Sequence, residues 1–218
     1  MSRLARVVIP GLPHHVTQRG NRRQQTFFRD ADYQLYKRLM AESCALYGVS
    51  VLAYCLMPNH VHLILVPDTP EGLGAAVSRA HRAYTVAINK REEWSGYLWQ
   101  GRFWSRPMDA PYLLMAARYI ERNPVDAGIV RDPRDHPWSS AVPHIAGIDD
   151  DLVIVAPLLD LVPDWSGFLS VPVSESDRKS LERGHQTGRP LGSDRFIESL
   201  EAQTRRKFIK QKPGPKLR

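Results

Sequence analysis

Cysteine is scarce: only Cys44 and Cys55 occur in the 218 residues, with no CxxC pair. That excludes a disulfide-framework scaffold and fits a reducing compartment. Long apolar runs are missing as well. None approaches the ~20 residues that a spanning helix needs, and Val7 to Ile9, after Arg3 and Arg6, is too short for a signal-peptide core. The expectation is a soluble cytoplasmic protein with no membrane partner. Acidic charge is thin at both ends. Residues 1–38 hold 8 Lys and Arg against 2 Asp and Glu, residues 39–175 hold 10 against 16, and residues 176–218 hold 12 against 5.

The net charge of +7 is therefore concentrated at the two ends of the chain. Clustered Lys and Arg replace condensed counterions on a phosphate backbone, so this distribution points to a polyanion partner; solvated basic tails are the plain alternative. At 43% apolar residues the chain can bury a proper core. The expected division is a domain over residues 1–145 and a C-terminal extension with a basic tail over residues 146–218.

Hydrophobic periodicity gives an alternating order of elements. His14 to Arg19 reads as a strand, followed by a Gly20-Asn21-Arg22-Arg23 loop. Asp30 or Asp32 then caps a helix to about Tyr47, with Tyr36, Leu39, Met40 and Leu46 apolar and Gly48 ending it. Two strands, about 49–57 and 59–66, form a hairpin at Pro58-Asn59. A second helix spans about 70–91, and a fourth strand about 102–108. Strand, helix, strand, strand, helix, strand is the split βαβ order of a ferredoxin-like α+β sandwich, an antiparallel sheet with helices on one face. In that order the first and third strands are central.

Within the third strand stands His60-Val61-His62. Residues i and i+2 of a strand share a face, so the two imidazoles lie side by side while Val61, Leu63 and Leu65 pack on the other side. The pair reads equally as half-exposed strand histidines or as two metal ligands on an open face. Downstream, Pro111 to Arg122 reads as a helix in which i, i+4 spacing puts Tyr119 and Asn123 on one face. Pro124 is expected to leave Asn123 at the helix end, as a cap or as a side chain free to reach a neighbour.

Taken together, Met57-Pro58-Asn59-His60-Val61-His62 and Tyr119-Ile120-Glu121-Arg122-Asn123-Pro124-Val125 resemble the single-tyrosine HUH (IS200-like) transposases, and among them the REP-associated tyrosine transposases. Gly11-Leu12-Pro13-His14-His15-Val16 and Trp99-Gln100-Gly101-Arg102-Phe103 extend the likeness over residues 10–140. The resemblance implies Tyr119 as nucleophile, with His60, His62 and Asn123 as ligands of Mg2+ or Mn2+. It also implies cleavage and rejoining of single-stranded DNA beside REP-like hairpins through a 5′-phosphotyrosine. Zinc also suits the imidazoles. This longer, tailed type is expected to be a monomer that uses its own tyrosine, a dimer being the alternative.

Tyr112, seven residues before Tyr119, is the internal competitor but has alanine rather than asparagine four residues later. His14, His15, Arg19, Arg22 and Arg23 suit phosphate contacts with some base readout, whereas Arg189, Arg205, Arg206, Lys207, Lys216 and Arg218 belong to a basic tail that resembles that of the same transposases and is suited to grip a duplex groove or the foot of a hairpin. Asp149-Asp150-Asp151 reads as a solvated cap, Tyr54 as packing, and Leu158, Leu159, Leu161 and Trp165 as a layer folding back over the core. Two other readings remain open: a metal phosphoesterase that uses water, and a non-catalytic DNA-binding regulator.

Overall fold

The computed structural model describes residues 6–183 and 188–208. Its strands are β1 (His14–Arg19), β2 (Val49–Met57), β3 (His60–Pro67) and β4 (Trp104–Pro107), interleaved with helices α1 (Asp30–Leu46) and α2 (Gly72–Glu92). After β4 come α3 (Ala110–Asp126), three short helices α4 (Ala141–Ala146), α5 (Ala156–Leu159) and α6 (Trp165–Ser170), then α7 (Glu175–Arg183) and α8 (Asp194–Thr204). The strands make one antiparallel sheet in the order β2-β3-β1-β4, so β1 and β3 are central as the element order requires. This is the α+β, ferredoxin-like arrangement.

Local chemistry sets the boundaries. Asp32 caps α1 from inside its first turn, its carboxylate accepting from the Phe28 and Arg29 amides at 2.9 and 3.3 Å, while Arg29 holds the N-cap position. Gly48, with φ +59°, ends α1 where a left-handed residue is needed. Asp109 caps α3 by accepting from the Tyr112 amide at 3.2 Å. The helix then continues past Arg122 through Pro124 to Asp126, correcting the expected end. Proline costs the one bond its missing N–H would have made and crowds the carbonyl one turn back, yet the Ala127 amide still closes onto the Asn123 carbonyl at 2.9 Å. Asn123 is thus held in regular helix one turn beyond Tyr119.

A bulge in β2 decides which residues meet the histidines. Val51 pairs with Leu65 and Ala53 with Ile64, leaving Leu52 as an extra residue. Before it Val49 and Val51 face α1 and α2; after it Tyr54 and Leu56 do, and Ala53, Cys55 and Met57 turn to the other side. That other side is not open as expected. Ala53, Cys55, Met57 and Ile64 give it an apolar surface that must be buried, and α3 with Trp165, Leu169 and Leu181 covers it. The sheet is sandwiched between two layers rather than coated on one face.

Several expectations about the layers need adjusting. Leu158, Leu159 and Trp165 do fold onto the core, whereas Leu161 is 51% exposed, and in α1 Leu46 is 61% exposed while Tyr33 and Cys44 take up the apolar face. Asp150 is no solvated cap. It accepts from Tyr54 Oη at 2.5 Å and Lys37 Nζ at 2.7 Å, and from the Leu152 and Val153 amides, pinning the chain after α4 to the sheet.

Two core histidines make the fold acid-sensitive. His14 accepts from the Ile9 amide and donates to the Leu12 carbonyl, and His81 is bonded to Tyr36 Oη at 2.9 Å. Burial lowers their pKa values to about 4 and about 3. The unfolded chain therefore takes up these protons first: stability is full above the ordinary value near 6.5 and is lost as pH falls towards 4. The expected loss near pH 5 is about 2 kcal/mol per histidine. Urea midpoints at pH 7.5 and pH 5 measure it; equal midpoints would contradict neutral burial.

Candidate active site

The two imidazoles of β3 point at α3, because Val61, Leu63 and Leu65 occupy the other face. Their ring centroids are 5.0 Å apart at 81°. The register with β1 pairs Arg19 with His60 and Thr17 with His62, so His15, Thr17 and Arg19 share this face. From above, α3 lowers Tyr119 edge-on to His62, ring centroids 5.4 Å apart at 89°, and Asn123 hydrogen-bonds the Tyr119 side chain. The structure thus gathers Tyr119, Asn123, His60 and His62. Tyr112, two turns earlier, is partly buried against the apolar residues between the sheet and α3.

The electrostatics at Tyr119 are mixed. It is 6% exposed, and burial raises its pKa, helped by the Glu182 carboxylate; the Asn123 hydrogen bond and the charges of Arg178 and Arg19 act in the opposite direction. Glu182 and Arg178 belong to α7, and Arg178 also pairs with Asp126 of α3 at 2.8 Å. Nothing in the sequence links them to a tyrosine some sixty residues earlier, and only the folding-back of α7 reveals them.

Adjacent histidines of β1 have opposite fates, which corrects their reading as DNA contacts. His14 lies on the α1 and α2 side with both ring nitrogens in backbone bonds, as described above. His15 is 2% exposed and meets His62: its Nε2 is 3.1 Å from His62 Nδ1, with the rings stacked at 5.4 Å and 22°. One of these nitrogens carries the proton, so His15 helps set the tautomer and tilt of His62. In the other imidazole of the pair, His60 Nδ1 donates to Asn59 Oδ1 at 2.7 Å, which leaves the ring's lone pair on Nε2.

Arg19, Arg22 and Arg23 are exposed. Arg22 and Arg23 have left-handed backbones, and a Cβ on Gly20 would sit 2.2 Å from the Gln24 carbonyl oxygen, so this tight loop needs its glycine. The Gly20 amide bonds the Asn59 carbonyl at 2.8 Å, fixing the three arginines beside the hairpin turn that carries His60. The tail residues sit elsewhere. Arg189 is half-buried, its carbonyl accepting from Arg106 Nε at 2.7 Å; Arg206 donates to the Arg6 carbonyl at 3.3 Å; Lys207 pairs with Glu201 at 3.1 Å; Arg205 is exposed. Here α8 packs through Leu200 on Val7, Ile9 and Phe208. Lys216 and Arg218 lie outside the described residues.

Among the described residues, no three His, Cys, Asp or Glu side chains are gathered to hold a metal ion. The carboxamide of Asn123, hydrogen-bonded to the Tyr119 side chain, is a polar group of another type facing the two histidines. Nor is any helix among these residues long and apolar enough to cross a membrane.

The profile of the family described as "Transposase IS200 like" matches residues 9–123. A Haemophilus influenzae protein provisionally named a REP-associated tyrosine transposase is 25% identical over 116 residues, a match covering 48% of this chain and 66% of that relative, just under two thirds. Among solved structures, a REP-associated tyrosine transposase bound to a REP hairpin superposes with a TM-score of 0.59 at 24% identity, over 69% of this chain and 90% of its own. That likeness is one of fold. The family match spans more than half of the sequence and takes in both histidines, the tyrosine and the asparagine: this chain belongs to the IS200-like transposase family.

Proposed function

We propose that the protein cleaves and rejoins single-stranded DNA beside REP-type hairpins, with Tyr119 as nucleophile and Mg2+ or Mn2+ held by His60, His62 and Asn123. The observation that carries this is the meeting of Tyr119 and Asn123 with His62 of the same chain. The same observation supports a monomer acting with its own tyrosine. Two imidazoles and a carboxamide oxygen form a mixed set that leaves coordination positions for phosphate oxygens. A divalent ion held there would supply Lewis-acid polarisation of the scissile phosphate.

The chain's own groups do the rest. Tyr119 Oη forms a bond to phosphorus and the bond to the 3′ oxygen breaks; the phenol gives up its proton and the departing oxygen gains one. The product is a 5′-phosphotyrosine and a free 3′-hydroxyl. Attack by another 3′-hydroxyl reverses the step and joins new ends without an outside energy source. Arg19, Arg22 and Arg23 beside His60 are suited to hold the flanking phosphates.

Single-stranded DNA carrying a REP hairpin, incubated with Mn2+, is expected to give a covalent protein adduct that chelation prevents and His62→Ala abolishes. Nicking without an adduct would point to a water nucleophile, and binding without nicking to a regulator. His15→Ala is expected to weaken Mn2+ binding about 10–100-fold, since an outer hydrogen-bond partner orients its ligand. Calorimetric titration of Mn2+ checks this; wild-type affinity would show that His15 only fills space.

A further inference from the structure

Behind Arg19, on the face of the sheet away from the histidines, a cleft of about 500 Å3 opens between α2 and the loop before β4. Its walls include Tyr97, Trp99, Phe103, Arg6, Arg82 and Arg102, and none of its lining residues is acidic. The volume falls in the range of small-ligand sites and is too small for a duplex. Tyr97 is 85% exposed and Val86 61%, so a large ring and an aliphatic neighbour stand in solvent at its mouth. Trp99 is braced from behind by His81, rings stacked at 4.8 Å and 24°.

The charge in the cleft is unbalanced. Arg6 lies 3.5 Å over the Phe103 ring and donates to the Phe103 carbonyl, and its pKa is lowered to about 10 by burial and by the neighbouring charge of Arg102. Neither Arg82 nor Arg102 makes an ion pair among the described residues. An anion seated here would relieve that repulsion. The cleft is also tied to the active-site edge. The Gln100 amide bonds the Arg19 carbonyl and the Asn21 amide the Leu98 carbonyl, each at 2.8 Å, and Gln18 Nε2 bonds the Gly101 carbonyl at 3.0 Å.

We infer that this cleft takes one unpaired nucleotide of the DNA strand that passes Arg19 on its way to or from Tyr119. Tyr97 stacks on the base, and Arg82 and Arg102 hold its phosphate. A base offers a flat π-face to the aromatic wall and its phosphate matches the guanidinium fork, whereas a paired base within a stem cannot enter. The inference rests on the DNA-cleaving reading for its ligand class but on residues separate from the catalytic group.

A walk of 5-iodo-2′-deoxyuridine along the strand flanking the hairpin tests it, with ultraviolet cross-linking and peptide mapping of the full chain. One unpaired position should cross-link to the peptide carrying Tyr97. The paired substitution Tyr97→Ala, Arg102→Gln, both at exposed sites, should weaken binding of that strand about tenfold. It should also leave adduct formation intact on a strand too short to reach the cleft. Wild-type affinity in that variant, cross-links to this peptide only from stem nucleotides, or none from any position, would each overturn the inference. A cleft cross-link without any Tyr119 adduct would uphold it while sinking the nuclease reading.

Discussion

Tyr119→Phe leaves a folded protein that forms no covalent adduct with DNA: this is the largest effect expected on activity. The ring that fills the space between α3 and the histidines is retained, so packing barely changes. Only the hydroxyl and its hydrogen bond with Asn123 go, at a cost of about 1 kcal/mol or less. Without an oxygen nucleophile no phosphotyrosine can form, and the loss is total rather than graded. Denaturing gels of a labelled strand read the adduct, and a melting curve confirms the fold. Tyr112→Phe keeps both. Should the Tyr119→Phe protein still label, the nucleophile lies elsewhere and the proposed chemistry falls.

The largest expected effect on stability comes two residues further on. Glu121 is fully buried on the other side of α3, where it accepts from Trp165 Nε1 at 2.7 Å, Ser140 Oγ at 2.5 Å and His144 Nδ1 at 2.7 Å. Both acceptors around His144 Nδ1, the carboxylate and the Ser140 carbonyl at 2.9 Å, require the proton on that nitrogen. The three donors come from α4, the residue before it, and α6, so one carboxylate clamps the outer layer onto the tyrosine helix. Glu121→Ala leaves Trp165 Nε1 without its acceptor in a dry interior, leaves Ser140 Oγ and His144 Nδ1 with only the Tyr54 and Ser140 carbonyls, and opens a cavity. The expected cost is about 3–5 kcal/mol, read from urea unfolding. Glu121→Gln, which keeps one acceptor oxygen, should lose less. A change under about 1 kcal/mol in the alanine variant would mean that water replaces the carboxylate.

Activity screens would mistake this effect for chemistry. Glu121 lies between Tyr119 and Asn123 in sequence, yet the helix turns it away from them. At a temperature where the Glu121→Gln protein is folded, its adduct yield per folded molecule should match the parent.

The sheet and the grouping of the candidate site residues were legible because both depend on short-range periodicity. Alternation in 60–65 gave the face of His60 and His62, and i, i+4 spacing joined Tyr119 to Asn123. What escaped depended on contacts distant in sequence or on turns with no residue signature. The bulge at Leu52 sits in the uniformly apolar run Val51-Leu52-Ala53, where nothing marks the extra residue. His14 and His15 look alike in sequence, and only strand alternation, applied to them as to His60 and His62, separates a core histidine from a neighbour of the site. Asp150 reads as solvated because its partners, Lys37 and Tyr54, lie 113 and 96 residues earlier. The end of α3 was misjudged because the penalty at Pro124 is local and packing outweighs it.

The strand order also dictates a timetable for synthesis. Only β2 and β3 are neighbours in both chain and sheet, so their hairpin can close as soon as it emerges, presenting both imidazoles early. Central β1, made first, must wait for β3, and its other edge stays unpaired until β4 follows much later. The tyrosine helix comes later still. A nascent or prematurely terminated chain therefore carries the paired histidines without Tyr119 and Asn123, and the candidate site is assembled only once α3 has been made.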